Sequence, residues 1–223
     1  MSHTRYALYY LPPPGALASF GARWFGWDIA SGCAAEPLEI EGREAATETP
    51  RRYGFHATLK PPFRLADGAT LEDLTEAVAD LATTSAPATC DGLELTPLGR
   101  FLALTPMGDT EGLSRIAASC VSRLDTFRAP PSEAELENRR ARHLSARQEA
   151  LLARWGYPHV MEEFRFHMTL TTRLPRPKIP AWHDTLLTLL PPLPNPFTLD
   201  EIALVGERPD GFFEEIRRFP LTG

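Results

Sequence analysis

Residues 6–11 (Tyr-Ala-Leu-Tyr-Tyr-Leu) form a short apolar run that stops at Pro12, the pattern of a buried strand. Leu17, Phe20, Trp24 and Trp27 then fall at helical spacing, and residues 30–50, rich in Gly, Ala, Glu and Thr, read as a loop. Residues 52–63 predict a strand closed by Pro61-Pro62. Leu71, Leu74, Val78 and Leu81 mark one face of an amphipathic helix that stops before Pro87. Leu93 and Leu95 alternate with polar residues and predict another strand.

The order then recurs. Residues 101–105 repeat the apolar run, ending at Pro106. Leu113, Ile116, Ala117, Cys120, Val121, Leu124 and Phe127 form the strongest helical stripe in the chain. Residues 164–174 resemble the 52–63 strand, Trp182, Leu186, Leu187 and Leu190 predict a helix, and residues 197–205 and 212–219 predict two closing strands. A repeat as long as half the chain points to one α+β unit over residues 1–223, built from two pseudo-symmetric lobes of about 1–98 and 99–223. A helical insertion around 132–156 breaks the symmetry. Ser132 with Glu135 and Ser145 with Gln148 fit capping boxes, and Gly156 and Pro158 supply a stop. Its first part is acidic at the start and basic at the end (Arg139, Arg140, Arg142), which suits the helix dipole and predicts a solvated connector.

Two segments carry candidate chemistry: Phe55-His56-Ala57-Thr58-Leu59 and Phe166-His167-Met168-Thr169-Leu170. Side chains alternate along a strand, so His56 and Thr58 share one face, and His167 and Thr169 share one face of theirs. By the same parity Lys60 joins the first polar face and Arg165, Thr171 and Arg173 the second, which makes Lys60 and Arg165 candidate substrate-binding cations. An imidazole transfers protons near neutral pH and a hydroxyl donates to a phosphate oxygen. Two such sets facing each other give a base for the attacking oxygen and an acid for the leaving oxygen at phosphorus.

Charge narrows the partners. A formal net charge of −6 argues against broad binding to a nucleic-acid backbone, though not against a small phosphate ester held by local cations. Cys33, Cys90 and Cys120 have no framework spacing and read as buried or semi-buried thiols of a reducing compartment. No apolar run reaches the ~20 residues of a membrane span, and the start of the chain has no signal-peptide pattern, so a cytoplasmic location is expected. His3, at a terminus expected to be mobile, and His143, His159 and His183 have no partner at metal-ligand spacing; no metal and no cofactor are expected. Gly-rich nucleotide loops and Gly-x-Ser-x-Gly are absent from the sequence.

The paired His-x-Thr motifs resemble those of the two-histidine (2H) phosphoesterase superfamily. The longer strings Arg-Tyr-Gly-Phe-His-Ala-Thr-Leu-Lys-Pro-Pro-Phe and Glu-Glu-Phe-Arg-Phe-His-Met-Thr-Leu-Thr resemble the branch found with bacterial phosphonate-utilisation genes. This resemblance covers nearly the whole chain. It implies a bilobal fold of two antiparallel-sheet lobes with flanking helices around a central cleft. It also implies metal-independent action on a cyclic phosphodiester or a 2′–5′ linkage, with His56 and His167 catalytic and Thr58 and Thr169 phosphate-binding. Three functions compete. The first is opening of a small cyclic phosphodiester, such as a ribose cyclic phosphate in phosphonate breakdown. The second is an RNA 2′–5′ or 2′,3′-cyclic phosphodiesterase or ligase. The third is non-catalytic phosphate-ester binding, which would not require both histidines. The acidic balance favours the first, acting as a monomer on a small phosphate ester and away from membranes.

Overall fold

The computed structural model describes residues 3–141 and 143–223; Arg142 lies outside them. In chain order the elements are β1 (Tyr6–Tyr10), α1 (Ala16–Phe25), β2 (Trp27–Asp28), β3 (Cys33–Ala34), α2 (Arg43–Thr47), β4 (Ala57–Phe63), α3 (Leu71–Thr83), β5 (Ala88–Cys90), β6 (Gly92–Leu98), β7 (Phe101–Met107) and α4 (Glu111–Arg123). There follow α5 (Glu133–Arg140), α6 (Ala146–Trp155), β8 (Met168–Thr169), α7 (Ile179–Leu189), β9 (Phe197–Leu199), β10 (Glu201–Glu207) and β11 (Phe213–Pro220).

The fold is α+β. Its main sheet is antiparallel, with strand order β11-β10-β1-β4-β8-β7-β6. The two motif strands, β4 and β8, are neighbours at its middle. The sheets of the two halves are thus joined at the motifs into one. The chain halves also interleave: β10, from the end of the chain, pairs with β1 and carries β11 outside it, while β6 of the first half pairs with β7.

Helices form where the apolar stripes lie. Leu74, Val78 and Leu81 of α3, and Leu113, Ile116, Ala117, Cys120 and Val121 of α4, are buried. The capping boxes at Ser132 and Ser145 both form, and Gly156 ends α6 in the left-handed conformation at φ 70°. The expected loop at 30–50 contains the short helix α2 and the strand β3.

Both long motif strands are shorter than their apolar pattern. Residues 51–53 turn into a 3-10 helix and Gly54 takes φ 70°, where its ideal Cβ would collide with Ile29, so the first strand starts only at Ala57. Residues 161–163 form another 3-10 turn, and β8 keeps two residues. Pro61 and Pro62 lie inside β4 rather than closing it, because β8 pairs with β4 only at Ala57 and leaves the later amides of that edge unpaired. Cys90 and Cys120 are buried as expected, whereas Cys33 is exposed, and all three are free thiols. Among the described residues no helix is long and apolar enough to cross a membrane.

Candidate active site

Ala57 pairs with Met168 in an antiparallel register, and both side chains are fully buried. Their neighbours point to the opposite face. That register sets His56 across from Thr169 and Thr58 across from His167, as a two-by-two block of two imidazoles and two hydroxyls. A strand-to-strand spacing of about 4.8 Å keeps the block within the span of one phosphate group. The aromatic shell behind it is built by α1: Phe20 and Phe25 flank Phe55, and the Trp24 indole donates to the Leu170 carbonyl at 2.7 Å. Gly21 lies so close to the Phe55 ring that a Cβ there would run into it.

The two imidazoles are held alike. His56 Nδ1 is 3.0 Å from the Gly54 carbonyl and His167 Nδ1 is 2.8 Å from the Arg165 carbonyl. A carbonyl only accepts, so each Nδ1 carries its hydrogen and each Nε2 is left for chemistry. His56 Nε2 takes the Thr58 hydroxyl at 3.1 Å. The surroundings then diverge. His56 is half-buried, stacked on the Tyr9 ring at 3.8 Å, and Tyr9 itself is 1% exposed. Burial pushes the His56 pKa down from 6.5 to about 4; His167 pulls the same way, and the Gly54 hydrogen bond opposes both. His56 is therefore neutral at physiological pH. Among the described residues, the aromatic neighbour of His167 is Phe101, 5.9 Å away.

Thr58, Thr169 and the two histidines lie on the face that parity gives them, whereas Lys60 and Thr171 do not. A bulge in β4 pairs Lys60 with Leu8 while Thr58 pairs with Tyr9, so Lys60 leaves the histidine face. Its side chain is 2% exposed and its ammonium donates to the Val121 carbonyl of α4 at 3.1 Å. Thr171 is buried and accepts from the Leu102 amide, because the strand has already ended at Thr169. Arg165 does face outward, but its guanidinium folds back onto the Phe164 and Glu162 carbonyls at 2.6 and 3.0 Å. Arg173 is exposed. His3 is not loose at the terminus: its Nε2 is 2.9 Å from Glu214. His183 lies in α7, 3.7 Å from Asp184.

Pattern reading missed the wall beside His56. Tyr53 lies 6.4 Å from the imidazole and stacks on Phe213 at 5.3 Å, and the Arg52 guanidinium covers Tyr53 at 4.9 Å. Tyr9 was hidden in a continuously apolar run, where alternation gives no signal. Among the described residues, no group of three or more His, Cys, Asp or Glu side chains is placed to hold a metal ion.

The sequence pattern of a family described as "Protein of unknown function (DUF1045)" matches residues 58–214, which begins just after His56 and includes His167. Two curated relatives are both named ribose 1,5-bisphosphate phosphokinase PhnN. The one from Janthinobacterium sp. (strain Marseille) is 37% identical over 238 residues, covering 100% of this chain and 52% of its own. The one from Laribacter hongkongensis (strain HLHK9) is 36% identical over 191 residues, covering 80% of this chain and 42% of its own. The chain thus spans about half the length of the curated relatives it matches. Solved structures are more distant. TT0787 of Thermus thermophilus is 17% identical with a TM-score of 0.48, covering 98% of both chains. LigT of E. coli complexed with 3′-AMP is 15% identical with a TM-score of 0.46, covering 100% of both.

Proposed function

The chain belongs to the DUF1045 family, and from that premise we propose that it is a phosphoesterase opening a small cyclic phosphodiester with His56 and His167 as base and acid. The observation that carries the reading is the seam of the sheet. Two imidazoles, each anchored through Nδ1 to a carbonyl, stand at opposite corners of one block whose other corners are Thr58 and Thr169. The threonine hydroxyls donate to the non-bridging phosphate oxygens, the Thr58 hydrogen turning from His56 Nε2 to the phosphate so that Nε2 is free to accept. His56, neutral because it is buried, accepts the proton of the attacking water at Nε2 as that oxygen bonds to phosphorus. His167, in its protonated form, gives its Nε2 proton to the leaving oxygen as the ring ester breaks. One water is consumed, and the product is a phosphomonoester beside a free hydroxyl.

The relatives' name supplies a substrate class. Opening the 1,2-cyclic phosphate of ribose 5-phosphate at the O2 ester yields ribose 1,5-bisphosphate, the compound in that name. The kinase activity itself is not proposed for this chain. Neither lysine, Lys60 nor Lys178, follows a glycine, so the stretch has no nucleotide-type phosphate loop.

Turnover of ribose 1,2-cyclic phosphates and nucleoside 2′,3′-cyclic phosphates, measured with EDTA present, tests the reading. Ring opening that survives chelation is expected. Activity that disappears with EDTA and returns with a stoichiometric divalent ion would make the histidines ligands instead of acid and base.

A further inference from the structure

The insertion that interrupts the repeat brings Arg139 to the first motif strand, beside Lys60 and Arg128. A shallow recess, open to solvent, is lined there by Lys60, Pro61, Arg128, Arg139, Trp155 and Tyr157. Three cations face it, and Asp125 answers two of them. Asp125 accepts from Arg128 at 2.8 and 3.2 Å and lies 3.9 Å from the Lys60 ammonium. Arg139, half-buried on α5, lies over the Tyr157 ring at 5.1 Å, and its guanidinium makes no hydrogen bond to a described residue. Its pKa is lowered, first by burial and then by the like charges of Arg128 and Arg5, against the partial relief of Tyr157 and Glu135. Positive charge is thus locally in excess in a protein whose net charge is −6.

The recess adjoins the catalytic block. Pro61 follows Thr58 on the same strand by about 10 Å at the ordinary rise per residue. Tyr9, which stacks on His56, lies in the field of Tyr157, and Arg139 lies in the field of Arg5 on β1's flank. A planar guanidinium with unused donors, backed by two more cations, suits a dianionic phosphate monoester better than a neutral sugar.

We propose that this recess receives a terminal phosphate monoester of the substrate, with Arg139 as its principal donor and Arg128 and Lys60 behind it. Resting on the reaction proposed above, this makes the substrate a doubly phosphorylated one: the cyclic diester sits between the histidines and the monoester under α5. The insertion is then a specificity element, and Lys60, which leaves the histidine face, still serves the substrate from behind it.

Calorimetric titration with ribose 5-phosphate, for wild type, Arg139→Gln, Arg139→Lys and His167→Ala, tests the subsite without turnover. A parallel comparison of kcat/KM for the ribose 1,2-cyclic phosphate with and without a 5-phosphate tests its use. Arg139→Gln should weaken ribose 5-phosphate by about 10- to 100-fold, the effect of losing a charge-assisted hydrogen bond. Arg139→Lys should restore part of it. The wild-type preference for the 5-phosphorylated ester should shrink by a similar factor, mainly through KM. Equal binding of ribose 5-phosphate to wild type and Arg139→Gln, or no binding to wild type at millimolar concentration, overturns the proposal. Binding that needs Arg139 beside equal turnover of both esters also overturns it, since the recess would then serve free phosphate. Binding that needs Arg139 while neither ester is opened keeps the subsite and removes the proposed reaction.

Discussion

The five-residue pattern Phe-His-x-Thr-Leu occurs twice, and its two copies end in different surroundings. Around His56 the strand runs for seven residues and Tyr9 covers the imidazole at 3.8 Å. Around His167 the strand is two residues long, and among the described residues its aromatic neighbour is Phe101 at 5.9 Å. The hydrogen bonds at Nδ1 are the same in both, so the tautomer is fixed by local backbone geometry. The His56 pKa is lowered by what lies on top. A duplicated motif thereby gains two unlike surroundings, which the base and acid proposed above would use.

Breaking either member is the largest effect expected. His56→Ala and His167→Ala should each lower kcat by about 10²–10⁴-fold, and the double variant should lose less than the product of the two. Steady-state kinetics on the cyclic ester with a thermal melt of each variant decides; a folded single variant with near wild-type turnover would contradict the paired mechanism.

Uncovering His56 should make the two copies more alike. Tyr9→Leu removes the stacked ring, readmits water and raises the His56 pKa from about 4 toward its ordinary value. The acid limb of the kcat/KM profile, which reports deprotonation of the base, should move to higher pH by one unit or more, whereas the alkaline limb should stay near its wild-type position. An unmoved acid limb would mean that burial under Tyr9 does not set the base.

The same shift has a stability consequence. His56 binds its proton less readily folded than unfolded, so its contribution is fully present above pH 6.5 and is lost as the pH falls toward about 4. Melting temperatures of wild type should therefore drop between pH 6.5 and 4 more steeply than those of His56→Ala. Parallel slopes would place the shift elsewhere.

The smallest effect concerns the insertion, which has no counterpart in the first half. Ser145 caps α6 through the Gln148 amide, and Ser145→Ala should cost about 1 kcal/mol of stability, read as a lowered denaturation midpoint. A change much larger than this would show that the insertion is welded to the core rather than packed on α4 through Val121, Leu151 and Val160.

Much was legible in the chain alone because it depends on short-range periodicity. The α3 and α4 stripes, the capping boxes at Ser132 and Ser145, and the shared face of His56 with Thr58 and of His167 with Thr169 all follow from side-chain spacing within a few residues. What parity could not contain is where regular spacing stops. The bulge that turns Lys60 away from the histidines, and the end of β8 that sends Thr171 inward, are set by partner strands distant in sequence. The joining of the two halves at Ala57 and Met168, the return of β10, with β11 outside it, onto β1, and the burial of His56 beneath Tyr9 likewise belong to tertiary structure alone. A pKa depends on every atom that displaces water from a group, and those atoms come from strands the local sequence does not specify. The sequence determined that each motif sets a histidine and a threonine on one strand face; packing decided which of the two imidazoles lies beneath an aromatic ring.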